Sequence, residues 1–318
     1  MRYIGEEDVR GVLGYEALIP AVRQGLVDYS AGRVQQPLRT ILRVGEGGEE
    51  QKGWFAVMPV TAGGVMAVKT VTFFPGNAAL RKPTHLAMIE LLDGQTGEPL
   101  AVMDGRLITE MRTAAVSAVA LDALGRSGVR SLGVLGAGVQ ARAHVESLRR
   151  VRPELGDVRI WSRTRRNAER LAEEVGARAA EIEEAAAADV VVTVTAAREP
   201  VLRGEWLRPD ALVLAVGAVG GELRELDDRA MRESTVIAES RAGVERESGD
   251  VRLSGARVFA ELGEILMGKV AAPVGQVVFK SVGMAVREGV ERFNFLAQLH
   301  NPRRIHLPIL DQAHHQIL

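Results

Sequence analysis

Apolar and polar residues change rhythm twice along this chain. Residues 14–33, GYEALIPAVRQGLVDYSAGR, place apolar side chains at helical spacing and stop at Gly32, which predicts a helix. QPLRTILRV, GWFAVMPV and GVMAVKTVTFF follow, with the β-branched and aromatic content of strands. HLAMIELLDGQTGEPLAVMDG is two apolar runs around DGQTG, a hairpin signal, and LITEMRTAAVSAVALDAL is an alanine-rich helix leading out of that sheet. From residue 131 the rhythm becomes strand, helix, strand. SLGVL precedes a helix through Leu148, then VRIW (158–161) and the helical NAERLAEEV. VVVTVT (190–195), ALVLAVGAV (211–219) and TVIAES (235–240) are the continuous apolar runs of buried parallel strands. AAEIEEAAAAD reads as an alanine-rich helix, and MAVREGVERFNFLAQL as a long helix returning the chain to its first part. The expected class is α/β: a Rossmann-type doubly wound parallel sheet beside a second α+β domain.

Composition narrows the function classes. The chain has 318 residues, 47% hydrophobic and 25% charged, enough for two domains with a sizeable core. Its 40 basic and 41 acidic residues leave a net charge of −1, so no nucleic-acid or membrane-surface footprint is expected. The absence of cysteine excludes disulfides and thiolate chemistry. No signal peptide or transmembrane run is legible, and a soluble cytoplasmic protein is the expectation.

In LGAGVQA the pattern G-x-G-x-x-A falls at Gly136, Gly138 and Ala141, after a predicted strand and opening a predicted helix. Gly136 would permit the tight turn, Gly138 the approach of a pyrophosphate, and Ala141 close helix–sheet packing. The blander reading is that small residues only ease packing at this turn; the second strand at 158–161 weighs against it. A reader of NAD usually carries a carboxylate at the end of that strand. Here stand Ser162, Arg163, Thr164, Arg165 and Arg166. Hydroxyls and guanidinium groups suit a 2′-phosphate, and positive charge at a helix start otherwise lacks a rationale. NADPH is therefore expected, with NADH as the alternative. GEILMGKV resembles a phosphate loop but ends in Val270 where Ser or Thr is required; it reads as a helix end, following the apolar-periodic VFAELGEIL.

Three cations stand in apolar surroundings: Arg39 in QPLRTIL, Lys69 in VMAVKTVTFF and Arg112 in TEMRTAAVSA. A lone charge in a strand is usually on the solvated face. Lys69, inside a long apolar stretch, needs a partner or a ligand. Together the three would bind a carboxylate, and a desolvated lysine would also serve as proton donor or acceptor. The histidines build no metal site: His314 and His315 are in the C-terminal tail, His144 is on the first Rossmann helix, and only His85 is placed near a site.

QPLRT, AVKTVTFF, LAVMDG..IT..RTAAVSA, LGAGVQA, RIWSRT, GEW..P, RELDD and ESGDV.LSG...FAELGE...G together resemble the ornithine cyclodeaminase/mu-crystallin family, from about residue 35 to 285. The details are nearer its ketimine reductase branch. The resemblance implies a homodimer with a discontinuous substrate and dimerisation domain (1–115 plus 293–318) and an NADP(H)-binding domain (116–292). It implies that Arg39, Lys69 and Arg112 hold a substrate carboxylate and that Glu247 faces the substrate. Implied cofactor contacts are Thr84, His85, Arg112 and Thr113, then Gly136, Ala137, Gly138, Val139, Gln140 and Ala141 of the turn. Ser162, Arg163, Thr164, Thr195, Val216, Val219 and Ser281 complete them. Cyclodeaminases and related alanine dehydrogenases carry an aspartate that handles the substrate amine where this chain has Val219. A valine cannot accept a proton, which disfavours deamination and cyclisation and leaves imine reduction. Asp227 and Asp228 read as helix-start residues instead. The implied reaction is NADPH-dependent reduction of cyclic ketimine carboxylates, Δ1-pyrroline-2-carboxylate or Δ1-piperideine-2-carboxylate, to proline or pipecolate. The alternatives are an ornithine cyclodeaminase, an alanine dehydrogenase-type enzyme acting on amino or keto acids, and a small-molecule binding protein.

Overall fold

The computed structural model describes residues 1–45 and 52–285, and they form two sheets joined by one long helix. The first sheet holds β1 (Arg2–Ile4), β2 (Val34–Gln35), β3 (Thr40–Val44), β4 (Gly53–Ala62), β5 (Val65–Phe73), β6 (His85–Asp93) and β7 (Pro99–Asp104). The order is β1-β7-β6-β5-β4-β2, with β3 also on β4; only the β1–β7 pair is parallel. Alternation along β5 buries Val65, Ala67, Lys69 and Val71 on one face. That face packs on α1 (Glu6–Val12) and on the start of α3 (Arg106–Leu124), while α2 (Tyr15–Ser30) lies against α3. The opposite face is apolar too: Leu42, Phe55, Thr72 and Leu86 align across β3 to β6, with Leu42, Leu86 and Met88 exposed.

Helix α3 is alanine-rich because it has no free side. It is buried without a break from Arg112 to Leu121, touching α1, α2 and β6 at one end and the second sheet beyond. The expected junction at 115/116 falls inside this helix, and 293–318 lies outside the described residues.

The second sheet is entirely parallel, in the order β10-β9-β8-β11-β12-β15-β13-β14. Its strands are β8 (Ser131–Leu135), β9 (Asp157–Trp161), β10 (Arg178–Ala179), β11 (Val190–Thr193), β12 (Leu212–Ala215), β13 (Thr235–Ala238), β14 (Val258–Glu261) and β15 (Val277–Lys280). The helices are α4 (Val139–Val151), α5 (Arg165–Val175), α6 (Ile182–Ala186), α7 (Asp228–Arg232), α8 (Arg241–Glu247), α9 (Gly249–Ser254) and α10 (Leu262–Leu266). The order reverses between β8 and β11, so a dinucleotide crevice opens at the carboxyl ends of those strands.

Several expected elements are shorter than the apolar runs suggested. VVVTVT and ALVLAVGAV leave the sheet at Thr193 and Ala215, where the chain turns into the crevice. VFAELGEIL is not one helix: VFAE pairs with β13 as the edge strand and only LGEIL is helical. Its apolar content is that of a strand buried on one face. Gly268 follows with φ +71, and Lys269 N–H returns to the Glu264 carbonyl, so the glycine does close the helix. In AAEIEEAAAAD only the five residues of α6 are helical, because Ala179 belongs to β10. Asp227 caps α7, accepting from Ala230 N–H, as its sequence position suggested. Of the helix expected over 284–299, Met284 and Ala285 are described and are not helical; the rest, like the histidines at 314 and 315, lies outside the described residues. Among the described residues no helix is long and apolar enough to cross a membrane.

Candidate active site

Two of the three cations are buried and the third, Arg39, is half-buried. Lys69 is 2% exposed and Arg112 6%. Arg39 lies just before β3 and pairs through Nε with Glu247 Oε2 at 2.9 Å. Its Nη2 donates to the carbonyls of Val282 (2.5 Å) and Gly283 (2.8 Å). Gly283 has φ +87, and a Cβ there would sit 3.2 Å from Arg112 Nη1 and 3.3 Å from Nη2. Gly283 N–H donates to Glu239 Oε2 at 3.0 Å, an oxygen that also receives the Ser281 hydroxyl. Segment 281–283 is thus fastened to the end of β13 and, through its carbonyls, to Arg39.

Arg39 and Glu247 open on one cleft between the two sheets, lined also by Met58, Gly283, Met284 and Tyr29 among others, with the Arg112 guanidinium close behind Gly283. Lys69 is the cross-strand neighbour of Met58 on one side and of Ile89 on the other. The Tyr29 hydroxyl and Ser240 Oγ, 2.8 Å apart, bridge the walls. Burial raises the Glu247 carboxyl above its usual range, against the pull of Arg39. His85 stacks on Phe73 (4.4 Å between ring centroids) and stands 6.5 Å from Trp54. Desolvation, then the charge of Lys69, lowers its imidazolium pKa, so both belong to one electrostatic neighbourhood. Thr84 Oγ1 lies 3.3 Å from His85 Nδ1.

The predicted dinucleotide turn lies at the crevice. Gly136 leaves β8 where a side chain would come within 2.8 Å of the Val194 carbonyl. Gly138 is the N-cap of α4; no side chain caps it, and nothing stands within 4 Å of where its Cβ would be. Ala141 is fully buried, as close packing requires, while Val139 is exposed over the turn. Gln140 Oε1 is buried with no hydrogen-bond partner. An uncapped helix start with free N–H donors and open space above a glycine fit the pyrophosphate of a dinucleotide. Ser162, Arg163 and Thr164 follow β9 directly, next to the turn, since β9 pairs with β8. Arg165 is engaged by Glu169 (3.1 Å) and Glu181 (2.9 Å), while Arg163 is exposed on the crevice side of β9.

Thr195, Val216 and Ser281 come just after β11, β12 and β15, on that same edge. The Thr195 hydroxyl donates to Glu225 (2.7 Å), and Thr113, on α3, donates to its own helix at Thr109 O. Val219 packs on the core beside β12, and the next residue's N–H, of Gly220, donates to the Glu247 carbonyl. His144 is fully buried away from the cleft, its ring between the Gln140 carbonyl (2.7 Å) and Ser117 Oγ (2.9 Å).

Three features escaped the sequence reading: Gly283, Glu239, and a buried cluster of Glu225, Asp250 and Lys280. The signal for the cluster was present in VVFK, where a lysine ends an apolar run as Lys69 interrupts one. Among the described residues no group of His, Asp and Glu is placed to hold a metal ion.

A model of the ornithine cyclodeaminase/mu-crystallin family matches residues 4–293. The ketimine reductase mu-crystallin of Mus musculus is 42% identical over 297 residues, covering 90% of this chain and 93% of its own length. The Δ1-pyrroline-2-carboxylate reductase of Thermococcus litoralis, solved with NADH and L-proline, superposes with a TM-score of 0.88 at 32% identity, covering 94% of this chain and 98% of that one. An archaeal alanine dehydrogenase dimer with bound NAD gives a TM-score of 0.87 at 27% identity over 95% and 98% of the two chains.

Proposed function

The chain belongs to the ornithine cyclodeaminase/mu-crystallin family, and we propose that it is a nicotinamide-dependent reductase of cyclic ketimine carboxylates. The substrates are Δ1-pyrroline-2-carboxylate and Δ1-piperideine-2-carboxylate, reduced to proline and pipecolate. The observation that supports this reading is Arg39 in a cleft beside the dinucleotide crevice, with the Arg112 guanidinium close behind the cleft's Gly283 and Lys69 next across the sheet from its Met58. The names of the reductase relatives support the same reaction.

Arg39 and Arg112 bind the substrate carboxylate, and Lys69 adds a point charge from the sheet. The cyclic imine is then held with its C=N carbon towards the crevice, an arrangement that removes much of the entropic barrier. A reduced nicotinamide bound in the crevice would supply hydride chemistry at that carbon, and the chain's own part is to provide the one proton that completes the secondary amine. Lys69 and Glu247 are the titratable groups beside the cleft that hold or relay that proton. Val219 leaves the substrate nitrogen without a carboxylate to drive loss of ammonia. Ser162, Arg163 and Thr164 take the adenosine 2′-phosphate and favour NADPH over NADH.

The antiparallel-sheet unit supplies most of the substrate site and also forms a homodimer. The exposed apolar face of Leu42, Leu86 and Met88 is the surface a second copy would cover, in line with the alanine dehydrogenase dimer.

The test is NADPH and NADH oxidation with each cyclic imine, with ornithine and alanine as controls for ammonia release. Imine-dependent oxidation, abolished by Lys69→Met, is expected, with no ammonia from either amino acid. Background rates with both imines, or ammonia release from ornithine, would overturn the assignment.

A further inference from the structure

Behind the crevice lies a group of charges that the reaction above does not use. Glu225, Asp250 and Lys280 are all 0% exposed. Lys280 Nζ contacts Asp250 Oδ2 at 2.8 Å and donates to the Ala218 carbonyl at 3.1 Å. Asp250 Oδ1 accepts the N–H groups of Glu225 (2.7 Å) and Leu226 (2.9 Å).

Glu225 is the centre of the group. Its Oε1 accepts Thr195 N–H (2.6 Å) and the Thr195 hydroxyl (2.7 Å). Its Oε2 accepts the Thr193 hydroxyl (2.8 Å) and the N–H groups of Gly217 (2.9 Å) and Ala218 (3.1 Å). One carboxylate thereby ties the carboxyl end of β11 to that of β12. The fit is close: a Cβ on Gly217 would lie 2.3 Å from Thr195 N and 2.5 Å from Glu225 Oε1. Burial pushes the Glu225 carboxyl up, while the Lys280 ammonium and the Thr195 donors pull the other way. Five donors aimed at two oxygens are the environment of an ionised carboxylate, because acceptor capacity is what they require. Two carboxylates against one ammonium leave one excess negative charge, shielded from water.

We propose that Glu225, held by Asp250 and Lys280, is a positioning residue that fixes the floor of the nicotinamide pocket and biases it towards the positively charged, oxidised ring. The proposal rests on the dinucleotide reading above: with the adenosine end on the residues after β9 and the pyrophosphate on the turn after β8, the nicotinamide end extends the other way along the sheet edge, over the ends of β11 and β12. The reduced ring is neutral and the oxidised ring carries one positive charge. A buried negative charge nearby therefore stabilises the form left after hydride has departed, and does so more strongly than in water. Glu225 touches no reacting atom; it acts through residues 193–195 and 217–218.

The experiment measures equilibrium binding, not turnover. Dissociation constants for NADPH and NADP+ are determined by quenching of tryptophan fluorescence, Trp161 lying next to the turn. If the wild type binds neither, the same titration is run with NADH and NAD+. Glu225→Gln raises the oxidised-to-reduced Kd ratio by about three- to tenfold, the scale of one partly screened charge. Lys280→Met, which strips the compensating cation, moves the ratio the other way. Should either variant fail to fold, Thr193→Val is nearly isosteric inside its strand and removes one donor from the carboxylate. With that donor gone the carboxylate is less screened, so the ratio shifts in the direction of Lys280→Met by a smaller factor. Equal weakening of both forms in a folded Glu225→Gln, or no change in either, overturns the charge bias while leaving the dinucleotide reading intact. A wild type that binds no dinucleotide overturns both.

Discussion

Replacing Gly283 by alanine perturbs the carboxylate clamp without replacing a charged residue. The backbone at this position has φ +87, which an alanine adopts at a cost of about 1–2 kcal/mol. The added Cβ would also press on the Arg112 guanidinium, 3.2 and 3.3 Å from its two terminal nitrogens. Backbone movement offers little relief, because Gly283 N–H is held by Glu239 and its carbonyl by Arg39. Arg112 must therefore shift by a few tenths of an ångström, enough to spoil a bidentate grip. A charge-assisted hydrogen bond is worth about 1.5–3 kcal/mol, which converts to a loss of roughly 10- to 100-fold in kcat/KM. Gly176→Ala is the matched control. It has φ +62, closes α5, and nothing lies within 4 Å of its would-be Cβ. The two variants should lose similar thermal stability, and only Gly283→Ala should lose kcat/KM for the cyclic imines. The reasoning fails if the two variants show the same kcat/KM within about threefold.

Arg163→Ala should raise the KM for NADPH about tenfold and leave that for NADH unchanged, whereas Arg165→Ala, whose guanidinium is already engaged by Glu169 and Glu181, should move it less than about threefold. An equal rise for NADH, or equal effects of the two variants, would remove Arg163 from the 2′-phosphate site. Acid should destabilise the fold through His144, whose pKa burial lowers from 6.5 to about 4. Above pH 6.5 the imidazole is neutral folded or unfolded, and its full contribution is present. As the pH falls, the unfolded chain takes a proton that the folded one refuses, so stability drops until about pH 4. At pH 4.5 the wild type should have lost about 2–3 kcal/mol relative to pH 7.5 in urea denaturation, beyond the loss shown by His144→Gln. Identical pH slopes would show that His144 does not titrate in this way.

The alternation of strand and helix from residue 131 was enough to place the parallel sheet, because buried strands and their flanking helices differ in both length and periodicity. Strand ends were less legible. Thr193 and Ala215 are followed by residues as apolar as the strands themselves, and what stops the ladder is a carboxylate, Glu225, arriving from 30 residues beyond Thr195. Arg39, Lys69 and Arg112 were visible as charges in apolar company. Their nearness to one cleft was not, since the segment before β3, strand β5 and helix α3 come together only through tertiary packing. Glu239 and Gly283 gave still less warning. A glutamate at a strand end and a glycine in a loop each have ordinary local reasons to be there. Lys280 was the missed opportunity, a lysine in VVFK under the same desolvation constraint as Lys69.

Helix α3 gives this protein a single point of exchange between durability and chemistry. Arg112 stands in its second turn, and every residue from there to Leu121 is enclosed by other elements. A substitution that loosens packing several turns downstream alters the seat of the clamp along a continuous rod. Variants selected for tolerance to heat and variants selected for new substrates should thus collect on the same helix and tend to conflict there. The loops after the parallel strands, which are anchored separately, leave cofactor preference freer to drift.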